Sequence, residues 1–101
     1  MLELLFVGAL AAMYLFSMVF YAYLTYLIVV EWFRDIASLA NKPNNIAATI
    51  KTELENGQAV VVQGVFNSKT GESVKARTIK YNQLDNQLRS IHSTTKVAIY
   101  Q

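Results

Sequence analysis

The chain has 101 residues, so one small domain is the ceiling for anything that folds in water. Hydrophobic residues make up 53% and charged residues 16%, below the roughly 25% charge of an average soluble domain. From Leu4 to Val30 no side chain is charged; all nine Lys/Arg follow that run, and of the seven acids only Glu3 precedes it. Such a distribution argues against an ordinary soluble globule, a disordered tail and a multi-domain enzyme. A formal net charge of +2 is low for a nucleic-acid reader of this size. With no cysteine there is no disulfide, thiolate metal site or catalytic thiol.

Taken in chain order, the segment Leu4 to Val30 predicts a transmembrane helix. As a helix it would reach about 40 Å, against a hydrocarbon core of roughly 30 Å. A cleaved signal peptide would need a basic start and a shorter apolar core, and the first charge here is Glu3. A wholly buried core helix would need more chain to wrap it. Arg34, Lys42 and Lys51 lie just downstream, which places the following part in the cytoplasm or stroma by the positive-inside rule. Tyr26, Trp32, Phe33 and Arg34 are the expected anchors at the membrane interface. Gly8 and Ala12 form a small-xxx-small pair, and with Tyr14, Ser17 and Tyr21 they make the candidate face for docking another helix. Tyr14 and Tyr21 sit deepest, where a hydroxyl needs a partner: another helix, a bound lipid or pigment, or, by tilt, the interface.

EWFRDIASLA continues that helix into water, and Asn41-Lys42-Pro43-Asn44-Asn45 breaks it. Ile46, Ile50 and Leu54 recur at i, i+4 and i+8, predicting a second helix capped by Asn44 or Asn45 and ended by Gly57. QAVVVQGVF reads as a buried strand with a bulge at Gly64, and Asn67 to Gly71 as a hairpin turn into the return strand ESVKARTIKY. Asn82 is the expected cap of a short helix carrying Leu84, Leu88 and Ile91, with Asp85 as its capping partner. KVAIY closes the chain as a strand and a candidate sheet edge. The expected fold is thus α+β: one N-terminal transmembrane helix (1–40, with its cytoplasmic extension), then a small α-β-β-α-β domain (44–101) with a three-stranded sheet.

The chemistry-bearing residues are few. His92 is the single imidazole, expected near a helix end and partly exposed. No pair of acids, no Gly-rich phosphate loop and no nucleophile-base spacing stands out, so catalytic residues, metal ligands and cofactors are not expected. Lys75, Arg77 and Lys80 could form a basic patch for anionic headgroups or an acidic protein surface.

The stretches AVVVQGVFNSKTGESVKARTIKY and DNQLRSIHSTTKVAIY resemble small uncharacterised single-span membrane proteins of cyanobacteria. That resemblance implies a thylakoid or plasma-membrane protein and carries over no functional residue. The functional expectation is a non-enzymatic accessory or assembly subunit of a larger integral membrane complex, photosynthetic or respiratory. Its partners would be that complex and membrane lipids, with no nucleic acid and no small-molecule substrate. Two alternatives are a membrane-anchored adaptor recruiting a cytoplasmic protein, through KVAIY or the basic strand, and a phage- or toxin-type small membrane protein.

Overall fold

The computed structural model describes residues 7–100, with side chains from Leu10 onward. Helix α1 (Val7–Ala12) and a 3-10 turn (Met13–Leu15) lead into strand β1 (Ser17–Leu24). Helices α2 (Tyr26–Asp35) and α3 (Ala37–Ala40) precede β2 (Asn45–Glu53), β3 (Ala59–Asn67) and β4 (Ser73–Leu84). Helix α4 (Asn86–Ile91) and β5 (Val97–Tyr100) complete the chain. All five strands join one mixed sheet in the order β1-β4-β3-β2-β5, with β1 parallel to β4 and every other pair antiparallel.

The transmembrane helix is not there. Among the described residues no helix is long and apolar enough to cross a membrane. Residues 4–6 of the uncharged run lie outside the described residues; the rest divides into α1, β1 and the start of α2. SMVFYAYL is rich in aromatic and branched side chains, which suit a pleated surface better than a helix. Thr25 then takes an extended conformation, and its hydroxyl accepts the Ile28 N–H at 3.2 Å, which starts α2. A polar residue able to cap was thus concealed in an apolar run. The integral-membrane placement, single-pass topology and thylakoid or plasma-membrane localisation that rested on the span go with it.

The sheet has five strands rather than three because β1 joins from the supposed anchor and IAATIKTE is β2. Apolar residues four apart fit both periods, since every fourth residue also lies on one face of a strand. Ile46, Ala48 and Ile50 share one face of β2, while Ala47 and Thr49 occupy the other. Gly57, at φ +87°, serves the β2–β3 turn, where its N–H donates to the Leu54 carbonyl at 2.9 Å. Gly64 is in register with Ala48 and Ala76, and the irregularity falls one step later, at Val65/Phe66. Its reason is space: a Cβ there would lie 2.8 Å from the Lys75 carbonyl oxygen and 2.9 Å from the Phe66 ring. Strand β4 runs through Asn82 to Leu84, so Asp85, rather than Asn82, caps α4.

Apolar cores lie on both faces. On one, Val29, Phe33 and Ile36 from the α2 segment and Leu88 from α4 cover Leu24, Val61, Val65, Ile79 and Leu84. On the other, Leu10, Met13 and Phe16 pack with Ile50, Val60, Val62, Phe66 and Val97. Strand β3 is central and buried on both sides, which is why VVVQGVF reads as a continuous apolar run. Asp85 ties the starts of the two helices on the first of these faces together: one carboxylate oxygen accepts the Tyr26 N–H at 2.7 Å, the other the Leu88 N–H at 2.9 Å.

Candidate functional site

Across the middle of the α2-covered face, register places Ser17, Arg77, Gln63, Thr49 and Ala98 side by side. The three central polar residues are buried, Thr49 and Gln63 completely. A polar row under a helix must settle its hydrogen bonds within the protein, and the two halves of this row do so differently.

The first half is closed. His92 Nδ1 lies 3.1 Å from the Thr95 carbonyl, which can only accept, so Nδ1 carries the proton. Nε2 of the neutral ring then accepts from the Thr49 hydroxyl at 2.9 Å, and Thr49 accepts from Tyr100 O–H at 2.9 Å. Burial holds the His92 pKa below its ordinary value, with nearby Lys51 acting the same way against the bonds to the 95–96 backbone. Burial also raises the Tyr100 pKa. Its ring packs 5.1 Å from Phe33 and 6.3 Å from Tyr26, centroid to centroid.

The second half is open. Gln63 Nε2 donates to the Val29 carbonyl at 2.8 Å, and its Oε1 accepts from Arg77 Nε at 2.9 Å. Trp32 lies over the guanidinium at 5.0 Å and Tyr21 at 5.9 Å. Arg77 Nη2 is buried and has no hydrogen-bond partner among the described residues. Burial lowers the Arg77 pKa, the Tyr21 hydroxyl opposing it, yet a guanidinium stays charged.

Two concavities flank the closed half. A groove of about 850 Å³ runs between α2–α3 and β5, lined by Tyr26, Phe33 and Tyr100 with Arg34 and Lys42 on its rim. A second hollow of about 650 Å³ is bounded by Lys51, Glu53, Tyr81, His92 and Lys96. The groove adjoins a sheet edge. Lys51 N–H donates to the Lys96 carbonyl at 2.8 Å, and antiparallel alternation then turns Ala98 and Tyr100 toward β2 and the backbone groups of Val97 and Ile99 outward. The Thr95 hydroxyl occupies both groups of Val97, which leaves those of Ile99 open at the edge among the described residues.

The expected site residues scatter. Gly8 is in α1 and Ala12, half-buried, ends it. Tyr14 is exposed, and its hydroxyl accepts the Glu55 N–H at 2.8 Å. Ser17 is exposed at the start of β1, and half-buried Tyr21 meets Arg77. Of the supposed membrane anchors, Tyr26 and Phe33 pack on Tyr100, Trp32 covers Arg77, and Arg34 is exposed. The basic residues do not form one patch. Arg77 is buried and Lys75 exposed on the α2-covered face, whereas Lys80, half-buried, belongs to the opposite one. His92 is buried rather than partly exposed. Among the described residues no three His, Cys, Asp or Glu side chains gather to hold a metal ion.

Gln63 is not among the residues expected from the sequence; a lone amide inside an apolar strand is the signal that could have found it. Nothing in the local sequence marks Thr49 or Tyr100, because their partners are distant along the chain. No protein-family model matches the chain, and neither curated proteins nor solved structures provide a match. These comparisons supply neither a family nor a function for the chain.

Proposed function

We propose that the chain is a non-enzymatic interaction subunit that binds a short extended segment of a partner protein along the β5 edge. The expected role as an accessory or assembly subunit is retained, with docking moved from a membrane helix to a sheet edge. The observation that carries this reading is the groove beside Ile99, whose backbone groups can pair with an added strand. Tyr26, Phe33 and Tyr100 offer an aromatic floor for one apolar side chain of that segment. Arg34 and Lys42 on the rim favour acidic residues flanking it. Thr95 limits pairing to the Ile99 position, so affinity would come from the groove as much as from the backbone. Thr49 and His92, each committed to internal bonds, hold Tyr100 in place rather than supply a reactive group.

Photo-crosslinking tests the reading. A benzophenone amino acid at position 99 of the full chain, expressed in its native cells, should give one defined adduct; the same group at Lys69, on the β3–β4 turn, should not. Arg34→Glu with Lys42→Glu should abolish the adduct without altering the circular dichroism spectrum. An adduct insensitive to that charge reversal, or none at position 99, would overturn it.

A further inference from the structure

We infer that β1 forms the interface of a homodimer, two copies pairing antiparallel through this edge into one continuous sheet. The inference concerns the edge opposite β5 and stands or falls separately from the reading above.

Strand β1 is a terminal strand of the sheet with β4 on one side and no described strand on the other. Sheet edges are commonly protected by Lys, Pro, bulges or short length. Here SMVFYAYL has eight residues with no charge, no proline and an unbroken register against β4. Several side chains at this edge are not covered: Phe20 is 57% exposed, Tyr23 51%, Met18 40%, and Leu15 just before the strand 88%. Met18 and Phe20 share the face on which α1 packs, yet they lie beyond its reach.

The uncharged run poses the same question from the sequence side. Leu10, Met13, Phe16, Leu24 and Val29 find places within one chain, whereas this edge does not. At roughly 200 Å² per whole residue, these exposures amount to roughly 450–500 Å² of mostly apolar surface per copy. With Ser17 and Ala22 added, two copies approach the ~1,200 Å² at which stable interfaces begin.

A second copy is the occupant that this chemistry selects. A foreign partner is distinguished by charge pattern, and the edge has none to offer. Self-pairing about a two-fold axis needs only that the strand complement itself. With the axis perpendicular to the sheet, faces are preserved if opposed residues share parity. Centring on Phe20 opposes Phe20 to its own copy and Met18 to Ala22 of the partner copy, so large meets small on either side of the aromatic pair.

Analytical ultracentrifugation of the full chain at micromolar concentration tests this, alongside Phe20→Lys, a change at an exposed position that the monomer fold should accommodate. The wild type should sediment as a dimer, and the variant as a monomer with unchanged circular dichroism. Because the chain has no cysteine, Phe20→Cys adds an independent reading: mild oxidation should give a disulfide-linked dimer, whereas Lys69→Cys should not. A monomeric wild type, or a dimer that survives Phe20→Lys and fails to crosslink through Cys at position 20, would overturn the inference.

Discussion

Two buried polar chains lie on the same sheet face, under the same helix, in adjacent registers. In one, Tyr100, Thr49 and His92 pass hydrogen bonds from donor to acceptor until the Nδ1–H of His92 donates to the Thr95 carbonyl. In the other, Gln63 satisfies the Val29 carbonyl and one Arg77 N–H, but the guanidinium carries more donors than its neighbours accept. Hydroxyls and a neutral imidazole both donate and accept, so a short chain of them can close on itself. Arginine only donates, so it closes only where acceptors surround it. Trp32 and Tyr21 stand in for some of those acceptors through their ring faces, an interaction worth about 2 kcal/mol when desolvated. Burial alone therefore does not mark a site as finished.

The largest effect should follow from breaking the open chain at its centre. Gln63→Leu strands Arg77 Nε and removes the side-chain bond to the helical Val29 carbonyl, and should cost roughly 2–5 kcal/mol in urea unfolding. Adding Arg77→Met removes the orphaned charge, and the pair should recover most of that loss, since an apolar replacement of a buried polar network is often tolerated. If the two changes simply add, the coupling between Gln63 and Arg77 is absent.

Thr49→Val comes next. It keeps the shape and removes the hydroxyl that both His92 and Tyr100 use, so stability should fall by about 1–3 kcal/mol, while Thr49→Ser should cost less than Thr49→Val. Equal losses in the two variants would point to packing rather than to the hydroxyl.

The smallest effect is the pH response, and it separates the two chains, because only the closed one titrates near neutrality. His92 is neutral in the fold with a pKa below that of the unfolded chain, so the unfolded state binds more protons. Its contribution is present above the unfolded value of about 6.5 and is lost as pH falls from there toward the folded pKa. Lys51 beside it strengthens the trend, and the Thr95 and Lys96 backbone groups moderate it. Unfolding midpoints between pH 7 and 5 should fall in the wild type and flatten in His92→Gln; identical slopes would remove His92 as the cause.

Much of the second half of the chain was readable residue by residue. VVVQGVF, the Asn67 to Gly71 turn and the following strand use local rules, branched residues and a glycine at φ +77°, that act over a few positions. KVAIY forms the sheet edge anticipated for it. The candidate site was less legible. Gln63 passes unremarked inside a strand read as apolar, and its partner Arg77 looks like part of a basic patch, whereas in the fold Trp32 lies over it. Trp32 and Phe33, next to Glu31 and Arg34, are equally well suited to a lipid interface and to a helix lying on a sheet.

Composition favours taking much of the stretch from Leu4 to Val30 out of water, since so many uncharged side chains are costly to hydrate. It could not say into what. Lipid and a sheet-centred core are both apolar, and the choice between helix and strand there depends on whether the backbone bonds locally or across to another segment. β1 bonds to β4 far along the chain, Ser17 opposite Arg77 and Leu24 opposite Leu84, and no local pattern encodes that pairing. Long-range contact, which becomes favourable only when the whole sheet forms, turned the middle of an apparent membrane span into a strand.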